Sequence, residues 1–85
     1  MTNMVVRIDP CLDILRRLIA TGDMNDIPLA EKAIAEYWEG TPTRARKSGL
    51  LYIQQILHEH RDALIRESRE FADVVDACIE QKLAS

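Results

Sequence analysis

The sequence is poor in aromatic residues and has no excess of basic ones. Its aromatic side chains are Tyr37, Trp38, Tyr52 and Phe71, too few to stack many nucleic-acid bases or to line an aromatic ligand pocket. The formal net charge of −3 argues against general affinity for nucleic acid, which usually depends on a net basic surface. The acidic excess falls in the second half of the chain, so a local basic site in the first half stays open.

Cysteines and long apolar runs are also scarce. Cys11 and Cys78 are the two cysteines, too few for a disulfide framework and without a short metal-type spacing, so we expect both to be buried apolar side chains in a reducing compartment. No apolar run approaches the ~18 residues of a membrane span. The N-terminus has no apolar stretch of the signal-peptide kind, so we expect a cytoplasmic protein that does not contact membranes.

Glycine and proline number three each, and neither occurs after Gly49. Asp9 and Pro10 are typical of a helix start, because aspartate is a good N-cap and proline fits the first helical position. Gly22 suits the left-handed conformation that ends many helices. Leucine and isoleucine recur every three or four residues between these signals. The pattern predicts a first helix over about residues 10–20.

The second predicted helix covers about residues 28–39. Asn25 or Asp26 is placed to cap it, Pro28 lies in its first turn, and Gly40 follows its end. Proline at a helix start and glycine after its end is the usual asymmetry of helix termini. The turn between the two predicted helices is short, which is typical of antiparallel neighbours.

The third predicted helix starts at Thr41 and Pro42, which repeat the capping signal. Because neither glycine nor proline interrupts its second half, residues 42–83 are predicted as one helix of about 60 Å. The alternative is a break at residues 58–62, with Asp62 capping a fourth helix. We favour the continuous helix, since no helix-breaking residue marks the break.

The fold class predicted is all-α: one domain over residues 1–85, with two short helices packed on a long C-terminal helix and an N-terminal arm at residues 1–8. The two short helices span about 17 Å each, and together they can cover only one half of the long one. The distal segment, residues 63–83, would then expose more apolar surface than monomers usually do. We therefore predict a homodimer with antiparallel long helices. Its association residues are Leu64, Phe71, Val74, Val75, Cys78 and Ile79.

A basic cluster stands at the start of the third predicted helix. Cations are unfavourable there, because a helix N-terminus carries partial positive charge, and no acidic residue lies between Glu39 and Glu59. Free backbone N–H groups, hydroxyls and cations together suit a phosphate or carboxylate. The alternatives are pairing with nearby acids or simple solvation. The candidate anion-binding residues are Thr41, Thr43, Arg44, Arg46 and Lys47.

The sequence offers no catalytic or metal-binding arrangement. His58 and His60 are two residues apart, so on a helix they point in different directions, and two ligands do not make a metal site. Neither cysteine adjoins a histidine, and Ser48 lies in a helical pattern rather than in a strand-turn-helix elbow. We predict no catalytic residue, no metal and no cofactor.

The function predicted is that of a small non-enzymatic adaptor, regulator or inhibitor that acts by protein–protein interaction. Amphipathic helices commonly dock into grooves of other proteins, and the predicted domain has more apolar helical surface than it covers. The alternative is binding of an anion, nucleotide or nucleic acid through the basic cluster. A helix-turn-helix with residues 40–43 as its turn is a weaker form of that alternative, because the second helix continues into acidic residues.

Overall fold

The computed structural model of the protein describes residues 9–85, except for the side chain of Asp9. These residues form four α-helices: α1 (Asp9–Thr21), α2 (Ile27–Gly40), α3 (Thr43–Glu59) and α4 (Arg66–Leu83). Two short 3₁₀ turns, Met24–Asp26 and Arg61–Ala63, lie in the connections. The all-α prediction is confirmed. The predicted arm at residues 1–8 and the capping side chain of Asp9 lie outside the described part of the chain.

The end of α1 follows the sequence signal. Gly22 has a φ of +67°, and its amide donates a hydrogen bond of 2.9 Å to the carbonyl oxygen of Leu18. A Cβ at Gly22 would lie only 3.1 Å from the backbone of Glu67 and Ser68. Glycine is therefore required twice here, by the left-handed conformation and by the close approach of α4.

The capping hydrogen bond predicted for the start of α2 forms instead at the 3₁₀ turn before it. Asp23 accepts a hydrogen bond of 3.0 Å from the amide of Asn25, and this contact opens the 3₁₀ turn rather than the α-helix. Asp26 precedes α2, but its side chain makes no capping bond. Pro28 lies in the first turn of α2 as predicted.

The prediction of one continuous helix over residues 42–83 is wrong. Helix α3 ends at Glu59, the 3₁₀ turn follows, and Leu64 and Ile65 are extended, with ψ of 151° and 166°. The alternative break at residues 58–62 is confirmed, although Asp62 lies inside the 3₁₀ turn and caps no helix. The chain reverses without glycine or proline because folding back buries the apolar face of α4 inside its own chain.

Helix α4 is the centre of the bundle and packs against α1, α2 and α3. Helix α3 packs chiefly on α4, so it is the least covered of the four helices. The core draws on all four helices. Its fully buried large side chains are Leu15, Ile34, Leu50, Ile53, Phe71, Val75 and Ile79. This arrangement holds α3 at the edge of the bundle with one side free. No helix in residues 9–85 is both long and apolar enough to cross a membrane.

Candidate functional site

The five residues of the predicted anion site do not share one role in the structure. Thr41 is the first of them. This threonine is buried, and its hydroxyl donates a hydrogen bond of 2.5 Å to the carbonyl oxygen of Tyr37 at the end of α2. The residue before α3 is Pro42, so the prediction that Thr41 caps this helix is wrong. Thr43 is the first residue of α3 and is exposed. The Thr41 hydroxyl therefore closes α2 instead of facing a ligand.

Arg46 also has a structural role. Its Nε donates a hydrogen bond of 2.9 Å to the carbonyl oxygen of Thr41. Its guanidinium lies 5.3 Å from the ring centroid of Trp38, and Lys82 Nζ lies 5.8 Å from the same centroid. Both distances are in the range of cation–π attraction. Arg46 thus ties the α2–α3 connection to α2.

Arg44 and Lys47 differ from Arg46, because both are exposed. Within residues 9–85, the ion pairs are Lys32–Glu36, His58–Asp76, Arg61–Asp73 and Arg66–Glu70, and none of them involves the start of α3. The predicted basic cluster therefore contributes two cations to the free side of α3.

An exposed apolar pair follows these cations along α3. Leu51 is 52% exposed and Tyr52 is 53% exposed. The two are neighbours in sequence on one helix. Among the other exposed large apolar side chains of the described residues, Ile14 and Leu29 line one concavity between α1 and α2, and Met24 and Ile65 are separate in sequence. We call the following set the outer face of α3. It consists of Arg44, Lys47, Ser48, Leu51, Tyr52 and Gln55.

Sequence reasoning missed Leu51 and Tyr52, although a signal for them exists. Leu50 and Ile53, three residues apart on this helix, are both buried. Two large apolar residues between these two positions must lie on the opposite side of a helix. Large apolar residues outside the buried stripe of a helix therefore predict an exposed apolar surface, as Leu51 and Tyr52 form here.

Both charged residues of the outer face are basic. Residues 40–58 contain no aspartate or glutamate, and Arg44 and Lys47 precede the apolar pair along α3. The acid of this helix is Glu59 at its end, whose Oε2 accepts a hydrogen bond of 3.5 Å from Gln55 Nε2. The chain as a whole is acidic, with a net charge of −3. The outer face of α3 is therefore a locally positive, partly apolar surface on an acidic protein.

The opposite side of α3 is fastened to α4 by polar contacts. The buried Gln54 Nε2 donates hydrogen bonds of 2.8 Å to Asp76 Oδ1 and 2.6 Å to Glu80 Oε2. His58 Nε2 lies 2.9 Å from the same oxygen of Asp76. These contacts fix the rotation of α3 about its axis. They decide which residues form its outer face.

An arginine–aspartate pair adds a further contact between α4 and the 3₁₀ turn that follows α3. Arg61 donates two hydrogen bonds of 2.8 Å to the carboxylate of Asp73. The Arg61 hydrogen bond and charge lower the pKa of Asp73, and Asp73 in turn raises the pKa of Arg61. Such bidentate pairs are directional as well as favourable. Within residues 9–85, no group of three or more His, Cys, Asp or Glu side chains is placed to hold a metal ion.

Both cysteines lie at positions that disfavour the thiolate. Burial raises the pKa of Cys11 to about 11. The pKa of Cys78 is raised by burial and by the carboxylate of Glu31, whose Oε2 is 3.9 Å from the Cys78 Sγ. Since the thiolate is the nucleophilic form, neither thiol is activated at neutral pH.

The predicted association residues divide into two groups. Phe71, Val75 and Ile79 are fully buried inside the bundle, so a second copy of the chain has no access to them. The others, Leu64, Val74 and Cys78, are half-buried. The uncovered apolar strip that motivated the homodimer does not exist, because α4 folds back onto α1 and α2. The homodimer itself stays a prediction, now without that motive.

Comparison of the chain with known protein families, curated proteins and solved structures finds no match. The surfaces of the chain itself are therefore the guide to its function. The outer face of α3 combines an exposed apolar pair with two exposed cations.

Proposed function

We propose that this protein is a non-enzymatic docking module whose outer face of α3 binds an acidic, amphipathic segment of another protein. The observation that carries the proposal is the exposed pair Leu51 and Tyr52, preceded on the same face of α3 by the exposed cations Arg44 and Lys47. Tyrosine and arginine are enriched at protein interfaces, whereas single exposed leucines need no explanation.

The chemistry of the face determines the kind of partner. Leu51 and Tyr52 offer apolar contact area to an apolar side chain, and the Tyr52 hydroxyl adds a hydrogen-bonding group. Arg44 and Lys47 favour carboxylates beside that side chain, because complementary charge speeds encounter and rejects basic partners. A helix or extended segment that alternates acidic and apolar residues matches this face.

The supporting structure favours a rigid docking surface. Helix α3 is held by Leu50 and Ile53 in the core and by the Gln54 contacts to α4. A preorganised helix loses little conformational freedom on binding, which favours affinity. The raised pKa values of Cys11 and Cys78 disfavour a cysteine nucleophile.

The test uses two matched double variants in affinity capture from the native cell lysate. Lys47→Glu with Leu51→Asp alters the outer face of α3, whereas Lys32→Glu with Leu29→Asp makes the same charge changes on α2. Leu29 and Leu51 are equally exposed, at 52%. We expect the same partner to be retained by the wild type and the α2 variant and lost by the α3 variant. A partner that both variants retain would contradict the proposal, provided that circular dichroism shows both to be folded.

A second candidate function is the binding of a small anion at the start of α3, which the exposure of Arg44 and Lys47 favours. It involves charge but not the apolar pair. Calorimetric titration with inorganic phosphate distinguishes the two functions: phosphate binding that Lys47→Glu abolishes and Leu51→Asp leaves unchanged would favour the anion site. Such binding should also weaken steeply as salt is added, because exposed charges are screened.

A further inference from the structure

A separate concavity lies where the C-terminal half of α1 meets the corner between α3 and α4. Its volume is about 360 Å³. At about 30 Å³ for each water-sized group, that is room for on the order of ten heavy atoms. Five of its lining residues are apolar: Ile19, Ala20, Leu57, Leu64 and Ala72. We call this concavity the corner pocket.

The corner pocket exists because small residues line it where the chain reverses. Ala20 of α1 and Ala72 of α4 contribute only a methyl group each, so they leave space between the helices. Leu57 and Leu64 border the break between α3 and α4, and both are half-buried. Ile19 and Ala72 are buried, so the pocket reaches the core of the bundle.

The polar side chains of the corner pocket are Arg16 and His60. Both are exposed, and no acidic side chain is among the lining residues. Arg16 takes part in none of the ion pairs within residues 9–85. Among the acids of α4, Asp73 binds Arg61 and Asp76 binds Gln54 and His58. Glu67 lies against Gly22, beyond Ala20, and is not a lining residue of the pocket.

These two side chains offer several hydrogen-bond donors. Arginine is a permanent cation with five N–H donors, and histidine donates at least one N–H in either protonation state. Carboxylates are the natural acceptors for such groups. An apolar pocket with a few converging polar groups is also the usual form of a small-molecule site.

We propose that the corner pocket binds a small amphipathic carboxylate, with its hydrocarbon part against the apolar lining and its carboxylate at Arg16 and His60. The two donors among the lining residues, together with the lack of acids there, favour an anionic ligand over a neutral one. The proposal is independent of the outer face of α3, which lies on other residues.

The test is a titration of the full chain with octanoate, followed by two-dimensional amide NMR, with octanol as an uncharged probe of similar length. We expect octanoate to shift the amide signals of the lining residues and to bind more tightly than octanol. Arg16→Gln should weaken octanoate binding roughly three- to tenfold, the effect of losing one hydrogen bond of ordinary strength at an exposed position. It should leave octanol binding unchanged. Arg17→Gln, at the exposed neighbouring position, is the matched control and should change neither.

A second pair of variants tests occupancy of the pocket itself. Ala20→Leu places a larger side chain in the pocket from an exposed helical position, and we expect it to abolish octanoate binding. Ala77→Leu makes the same change at an exposed position of α4 outside the pocket and should have no effect. The proposal is overturned if octanoate does not bind at millimolar concentration, if octanol binds equally well, or if Ala20→Leu binds octanoate like the wild type.

Discussion

Gly49 is the residue at which helix propensity and packing disagree most clearly. Propensity alone favours alanine in a helix interior by about 1 kcal/mol. In the folded protein, however, a Cβ at Gly49 would overlap the Tyr37 hydroxyl and lie 2.8 Å from Tyr37 Cζ, and the Tyr37 ring is buried. We expect Gly49→Ala to lower the free energy of unfolding by about 1–3 kcal/mol, as overpacking does. Urea denaturation measures this change in the free energy of unfolding.

Two further variants test whether the contact with Tyr37 causes the effect of Gly49→Ala. Gly40→Ala should be neutral or slightly stabilising, because nothing lies within 4 Å of a Cβ there. Adding Tyr37→Phe to Gly49→Ala removes the nearest atom and should recover part of the loss. If Gly49→Ala instead raises the free energy of unfolding, the close packing of α3 against α2 is wrong.

Roles that depend on the backbone conformation of a single residue could be predicted from the sequence. Roles that depend on the neighbours of a residue in the fold were harder to predict. The left-handed end of α1 at Gly22 followed from the sequence, because glycine adopts that conformation without a steric penalty. The capping roles predicted for Asp26 and Thr41 were wrong, because a polar side chain near a helix start has several possible partners. Thr41 binds back to Tyr37, and only the packed structure shows it.

The pair of helices α3 and α4 has a pH dependence that follows from Arg61 and Asp73. The pKa of Asp73 is lowered in the folded state, so its contribution to stability is fully present above the ordinary aspartate value of 3.8. It is lost as the pH falls through the lower folded value. We expect a small effect, because both side chains are largely exposed.

The measurement is urea denaturation of the wild type and Asp73→Asn at pH 6 and at pH 3. Asp73→Asn should destabilise the protein at pH 6 and have less effect at pH 3, where the pair is already weakened. Asp13→Asn, on the exposed side of α1, is the control for loss of one carboxylate. An equal loss of stability for Asp73→Asn at both pH values would show that the charge of this pair does not stabilise the hairpin.

The break between α3 and α4 shows why helix boundaries are hard to predict from residues alone. His60 to Ile65 contains neither glycine nor proline, and local propensity permits a continuous helix. Tertiary burial overrides local propensity, because reversal brings Phe71, Val75 and Ile79 into the core. The excess of apolar side chains in residues 63–83 did indicate that something must cover them. This excess did not indicate whether a second chain or another part of the same chain covers them.

For the molecule as a whole, the observed fold changes the effect that we expect from substitutions in α4. The dimer prediction implied that Phe71→Asp would give folded monomers. Because Phe71 is fully buried in the bundle, we now expect Phe71→Asp to unfold the protein, as an unpaired charge in the core is strongly unfavourable. Phe71→Ala should lower the free energy of unfolding by about 3–5 kcal/mol.

Circular dichroism and light scattering check this expectation together. Loss of helical signal in Phe71→Asp would agree with the bundle. A Phe71→Asp variant that keeps its helical signal and changes only in mass, from dimer to monomer, would contradict the bundle and support the association segment.

The central claim, that the outer face of α3 is a protein-docking surface, is tested most directly by site-specific photocrosslinking in the native host cell. A photoreactive phenylalanine derivative replaces Tyr52 in one strain and Leu29 in another, two side chains exposed to 53% and 52%. We expect a discrete crosslinked protein from position 52, absent from position 29 and lost when Lys47→Glu is added. Mass spectrometry should place the crosslink in a segment rich in acidic and apolar residues. The same product from both positions, or none from position 52, would contradict the account.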